Sequence, residues 1–304
     1  MDFVPFTFCD SVCASFETIY PKEFHFRTSD TWEAAARDCK KNRIDIKLVF
    51  ESAAGVCSYN LEVGSMSGRQ ILFDDLKRMN RRHIRVNTVC LRNITATTGR
   101  VSSLEEIHDI ITYTLPLLDR PALYMYMREL PVDVPLALLT RFQSVPFWSI
   151  CTNFKMAENF LTLQLQSADV LRKLIISYRC RQYYSEEFRI MVEDYAISNA
   201  FFDFSVPWVS DKAFFERLFE KTAFCFHKSC QILGKFSFGL AEIKAFKPEL
   251  QVAPASSWIK YYNDREIHNC VFWRRADGVG VQAKYNLAGR DFLISFQSEY
   301  SCLW

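Results

Sequence analysis

The stretch Ala122-Leu123-Tyr124-Met125-Tyr126-Met127, followed by the amphipathic run Val134–Phe142, starts a beat of strand then helix that occurs four times. The pattern predicts strands at Ala122–Met127, Trp148–Phe154, Leu171–Tyr178 and Ala200–Val206. It predicts helices at Val134–Phe142, Met156–Gln166, Ser185–Ile197 and Asp211–Glu220. The strand centres fall near Tyr124, Ile150, Ile175 and Phe202, at steps of 26, 25 and 27 residues. A repeated supersecondary unit leaves an apolar face that only a stacked neighbour can bury. The expected fold class is therefore α/β, with a curved, mostly parallel sheet built from strand–helix repeats. A binding scaffold is the functional class this points to.

Successive side chains of a strand alternate between its two faces. If Leu123, Met125 and Met127 point into the core, Tyr124, Tyr126 and Arg128 point out. The same rule turns Lys173, Ile175 and Ser177 outward, with Asp203 and Ser205. Adjacent outward tyrosines suit an interface, where Tyr is enriched. Tyr124, Tyr126, Lys173 and Asp203 are accordingly the candidate target-binding residues.

Upstream, Val4-Pro5 opens a helix, since proline costs little in a first turn. Phe8, Cys9, Val12, Cys13 and Phe16 then form one apolar stripe. A break follows near Tyr20-Pro21. Asp30 and Glu33 have capping-box spacing for a helix that carries Trp32, Ala35, Ala36 and Cys39 and ends in Lys40-Lys41. The period then switches to two. Ile44–Phe50 and Cys57–Val63 read as strands joined at Ala53–Gly55. A short helix is expected over Ile71–Met79 and a strand over Ile84–Leu91. Ser103-x-x-Glu106 is a capping box, for a helix whose expected core face is Leu104, Ile107, Ile111 and Leu115. That strand and helix read as a longer first copy of the repeat.

Downstream, Phe236–Phe246 fits no single pattern, and Pro248 and Pro254 bracket a loop. Strands are expected at Trp258–Tyr262, Asn269–Arg275, Val279–Tyr285 and Phe292–Phe296. Asp277-Gly278 is a hairpin signal, and Ala288-Gly289 marks another turn. This ribbon is expected to cap the open end of the repeat stack. The organisation read from the chain is 1–41 helical module, 42–246 repeat region and 247–304 antiparallel β ribbon.

Composition bounds the chemistry. Of 304 residues, 49% are hydrophobic and 27 are Phe, enough for a sizeable core. The 37 basic and 35 acidic residues leave a net charge of +2, too small a field to draw nucleic acid or membrane. The 11 cysteines form no disulfide framework, and no basic n-region opens the chain. No run reaches the ~18 apolar residues of a membrane span. A cytoplasmic or nuclear protein without a membrane segment is expected.

Cys225, His227 and Cys230 could ligate a metal, but a structural zinc needs four ligands in paired short spacings. Buried thiols and a surface His are the plainer reading, so no metal or cofactor is expected. Any Cys/His pair drawn from 11 Cys and 5 His is expected by chance, and no phosphate-cradling glycine loop is present. No enzyme is expected. Lys77, Arg78, Arg81, Arg82, His83 and Arg85 are the densest basic cluster. Tyr178, Arg179, Arg181, Tyr183 and Tyr184 mix bases with aromatics. Both could meet phosphate and stacked bases, against which stands the neutral overall charge.

The first 41 residues resemble an F-box: Val4-Pro5, the stripe Phe8, Val12 and Phe16, then Trp32 with Ala36. Val stands where the usual residue is Leu, and the intervening segment is short. The whole chain is similar to the large nematode-type families of F-box-like proteins. There a degenerate N-terminal box precedes a leucine-rich-repeat-like strand–helix region. The resemblance implies a substrate-recognition adaptor of an SCF-type cullin-RING ubiquitin ligase. The Skp-type linker protein would be held by Val4, Pro5, Phe8, Val12 and Phe16, and an unknown target by the repeats. A repeat-type binding module with a decayed box and no ligase link is the alternative.

Overall fold

The computed structural model describes residues 5–14, 30–53, 56–64, 69–93, 99–118, 123–128, 133–152, 158–167, 170–176, 184–198, 203–219, 230–236, 251–254, 269–274, 280–286 and 291–297. Val4, Phe16, the Tyr20-Pro21 break, Ala54-Gly55, Ser177, the strand expected at Trp258–Tyr262, and the turns at Asp277-Gly278 and Ala288-Gly289 lie outside these residues. The fold is mixed α/β, with parallel and antiparallel strands and several helices. The chain divides into two units, Met1–Ile150 and Cys151–Trp304.

The first unit opens with α1 (Phe6–Ala14) and α2 (Asp30–Asn42). Phe8 N–H and Cys9 N–H both donate to Pro5 C=O, so proline sits where its missing donor is not needed. Cys9, Cys13, Ala35, Ala36 and Cys39 form the core between these helices, with Trp32 packed against it. The expected stripe is turned. Cys9 and Cys13 face inward, whereas Phe8 is exposed and meets Trp32 edge-on at 6.1 Å.

Strands β1 (Ile44–Ala53) and β2 (Val56–Val63) pair antiparallel, as period two predicts. Gly64 then turns the chain at φ 79°, a left-handed conformation open to glycine. β3 (Arg69–Ile71) follows on the edge of β2, and α3 covers Phe73–Arg78. Ile71 is thus a strand residue and not the start of the expected helix. A 3-10 turn at Arg81–His83 leads into β4 (Ile84–Asn93), which lies parallel to β1. β5 (Arg100–Val101) adds to β2. After α4 (Leu104–Thr114), β6 (Tyr124–Arg128) returns parallel to β4. The strand expected over Ile84–Leu91 and the helix expected after Ser103 are both present. α5 (Asp133–Phe142) leads to β7 (Ser149–Thr152) at the boundary between the units.

The Ser103 cap holds: its Oγ accepts from Glu106 N–H at 3.1 Å. The core face of α4 is rotated from the expected one, however. Ile107, Ile110, Ile111 and Thr114 are buried, while Leu104 is 64% exposed. Leu104 is the first helical residue, so the cap fixes it over solvent.

The second unit continues the alternation through α6 (Glu158–Ser167), β8 (Lys173–Ile176), α7 (Glu186–Ser198), β9 (Asp203–Ser210) and α8 (Lys212–Phe219). β8, β9 and β10 (Cys230–Phe236) are parallel neighbours. Pro207 lies within β9, where its missing N–H would break a ladder. The strand bulges there: Ser205 pairs with Leu233 and Val209 with Lys235, leaving Val206, Pro207 and Trp208 opposite Gly234. β10 ends at Phe236, the first residue of the stretch Phe236–Phe246 that fits no single sequence pattern; 237–246 lie outside the described residues. β11 (Gln251–Pro254), β12 (Asn269–Arg274), β13 (Gly280–Asn286) and β14 (Asp291–Gln297) pair antiparallel in order, and β14 pairs with β10.

Ile110→Ala is expected to cost about 2–5 kcal/mol in urea denaturation. Leu104→Ala should stay within about 0.5 kcal/mol of wild type. The opposite ranking would restore Leu104 to the core face.

Candidate interaction surface

In the first unit the registers of β2, β1, β4 and β6 align side chains into rows across the sheet. One face carries Leu61, Leu48, Val89 and Met125, then Tyr59, Phe50, Leu91 and Met127. All eight are buried. The other face carries two polar rows, Glu62, Lys47, Thr88, Tyr124 and Ser58, Glu51, Arg92, Arg128, with a mixed row between them, Asn60, Val49, Cys90, Tyr126, in which Val49 and Cys90 are buried. A bulge between Ile46 and Lys47 inserts Asn87 and puts Thr88 in line. Parallel strands usually present apolar residues on both faces. These present one apolar face and one on which charged and hydroxyl-bearing residues flank the buried Val49 and Cys90.

The polar rows are held by paired charges. Lys47 Nζ meets Glu62 Oε2 at 2.9 Å. Glu51 is buried, and both its oxygens are satisfied. Oε1 accepts from Arg92 Nε at 2.8 Å and from Arg92 Nη2; Oε2 accepts from Gly99 N–H at 3.0 Å and Ser58 Oγ at 3.4 Å. Gly99 must be glycine here, because a Cβ would stand 2.6 Å from Tyr59 C=O. Toward β6 the face opens. Thr88, Arg92, Tyr124 and Tyr126 are half-buried, and Arg128 is exposed. Trp148 packs beside Tyr124 at 5.5 Å. Burial pushes the Cys90 thiol up, against the lowering influence of Lys47, Arg92 and Arg128.

The alternation expected for Tyr124, Tyr126 and Arg128 against Leu123, Met125 and Met127 is what β6 displays. Lys173 and Ile175 are likewise half-buried between the fully buried Leu174 and Ile176. Ser205 departs from expectation and is buried, since β9 is covered on both faces around it. Tyr124 and Tyr126 belong to the first unit, and Lys173 and Asp203 to the second; Lys173 and Asp203 are register partners.

Of the expected linker residues, Pro5 and Phe8 are exposed, and Val12 is half-buried. Phe6, not singled out from sequence, is 40% exposed beside them. α1 is latched to the rest of the unit by Asp10, which accepts from Cys39 Sγ at 3.2 Å and pairs with Arg82. Burial pushes the Asp10 carboxyl up, but the bonds from Arg82 and Cys39 outweigh it and hold the carboxyl below its ordinary value. Burial and Asp10 push the Cys39 thiol up to about 12.

The basic cluster is largely absorbed by the fold. Lys77 pairs with Asp74, Arg78 with Asp75 and Arg82 with Asp10; Arg81 lies over the Tyr113 ring at 4.7 Å. Arg85 donates to the Arg82 and Ile84 carbonyls. In the second cluster, Tyr178 to Tyr183 lie outside the described residues, and Tyr184 stacks on Phe188. Cys225 and His227 also lie outside, and Cys230 begins β10. Among the described residues no three potential ligands gather for a metal, and no helix is long and apolar enough to cross a membrane. No family model, curated protein or solved structure matches the chain.

Sequence reading missed a buried acid in the second unit. Glu193 Oε1 accepts from Trp208 Nε1–H at 3.0 Å and Ser210 Oγ at 2.8 Å. Burial raises its carboxyl above the ordinary value, only partly offset by those bonds. The native state therefore binds this proton more tightly than the unfolded chain does. The stability it contributes is present at low pH and is lost as pH rises through the raised native value. Glu193→Gln keeps an acceptor and removes the titration. Stability measured against pH should fall less steeply for the variant than for wild type above pH ~4.5; parallel curves would show that Glu193 does not titrate abnormally.

Proposed function

We propose that the chain is a protein-interaction scaffold that serves as the substrate-recognition adaptor of an SCF-type cullin-RING ubiquitin ligase. The observation that carries the scaffold reading is the two-sided sheet of the first unit, with Tyr124, Tyr126 and Arg128 on the open side of its polar face. A tyrosine-bearing face next to exposed charge is suited to a protein partner. On this reading residues 42–246 act as a leucine-rich-repeat-like body, and 247–304 as its ribbon cap. Residues 1–41 are the F-box-like module. Pro5, Phe6 and Phe8 present apolar surface at the start of α1, which supports contact with a Skp-type linker protein there.

One observation favours the alternative of a decayed box. Cys9 and Cys13 turn inward, and Asp10 is tied to Arg82, so much of α1 serves the chain's own core. The two readings separate in one titration with purified Skp-type linker. The adaptor reading predicts binding at micromolar concentration. Pro5→Ala should weaken it with the fold intact. Trp32→Ala should abolish it, while costing about half the ~3–5 kcal/mol of truncating a fully buried Trp. No binding by wild type at micromolar concentration leaves the decayed-box module in its place.

A further inference from the structure

Arg92 of β4 and Arg128 of β6 are register partners near the carboxyl ends of two parallel strands. Like charges opposed across neighbouring strands destabilise a sheet, so the pair calls for a compensating anion. Arg92 is already fixed. Its Nε and Nη2 bind Glu51 Oε1, while no acceptor among the described residues engages its Nη1. Arg128 is exposed and forms no ion pair among the described residues. Cys90 and Tyr126 are the register pair two residues earlier, so they form the preceding row of the same face. Ligands of open α/β sheets collect at the carboxyl ends of the strands.

We propose that Arg92 and Arg128 anchor a carboxylate on an extended, acidic segment of a partner protein, with Tyr126 and Tyr124 lying under that segment. The charge balance selects the ligand. Glu51, Arg92 and Arg128 together carry one excess positive charge, which a single carboxylate neutralises. A phosphate monoester carries roughly −1.5 to −2 at pH 7 and overshoots. Arg92, held from behind by Glu51, offers a fixed donor; Arg128 offers an open fork that fits a carboxylate in two bonds. Glu51 is a positioning residue in this arrangement. The proposal rests on the reading of this face as the target surface, and it adds the chemistry of the target.

The test uses the full chain and a fluorescein-labelled hexaglutamate peptide, followed by fluorescence anisotropy at low salt, with a phosphoserine hexapeptide as second probe. Hexaglutamate should bind more tightly than the phosphopeptide. Arg128→Gln should weaken hexaglutamate by about tenfold, with a melting temperature equal to or above wild type because the repulsion is relieved. Arg128→Lys should recover part of the loss. Stronger binding of the phosphopeptide, or no binding of hexaglutamate by wild type, overturns the carboxylate anchor. So does a loss seen with Tyr124→Ala plus Tyr126→Ala but not with Arg128→Gln, which leaves the target face standing. Binding unchanged in both variants overturns the anchor and the face together.

Discussion

A carboxylate shut away from water must find donors for both its oxygens, because an unpaired buried charge costs several kcal/mol. Glu51 meets that demand from three elements. Arg92 comes from β4, Ser58 from β2, and the Gly99 N–H from the chain just before β5. The Glu51 clasp therefore holds the register of three strands and the path of the chain that crosses them. Gly99 makes that path possible, since no side chain fits between it and Tyr59 C=O. The residues of the polar face follow from this arrangement. With Glu51 and Arg92 tied to each other and Lys47 tied to Glu62, the unspent charge of the rows lies on β6.

The same logic operates at the N-terminal helices. Asp10 is buried and ionised because Arg82 and Cys39 give it donors, and it ties α1 to the turn before β4. Apolar burial by Cys9, Cys13, Ala35 and Ala36 then closes the helix pair. Small side chains bring the two helices close but bury little area. An ion pair of this kind stabilises less through net energy than through orientation, since removing either partner leaves a buried charge alone. Phe6 and Phe8 are left outside as a consequence, available to a partner.

The strand–helix beat was legible because it depends on local pattern. Strands β6 to β9 and helices α5 to α8 fall where alternation and helical spacing put them. The hairpin β1–β2 and the Ser103 cap were legible for the same reason. What escaped depends on sequence-distant partners. Glu51 meets Arg92 across 41 residues and Gly99 across 48, and nothing in the local spacing joins them. Glu193 has nothing in its local spacing to single it out, because the groups that close over it, Trp208 and Ser210, lie 15 and 17 residues on. The expected helix at Ile71 began late because β2 offered an edge that Ile71 could pair with. β10 was missed because its short apolar pair Ile232-Leu233 gives way at once to Gly234 and Lys235, and its pairing with the bulged β9 is sequence-distant. Ser205 was expected outside because a strand's alternation says which face a residue takes, not whether that face is covered.

The central claim is that the Glu51–Arg92 bond organises the polar face of the first unit. A double-mutant cycle with Glu51→Gln and Arg92→Met, read by urea denaturation, tests it most directly. Charge-assisted, doubly bonded and with its carboxylate buried, the pair should show a coupling energy of about 1.5–3 kcal/mol. Single-variant losses that add to within about 0.5 kcal/mol in the double variant would contradict the account.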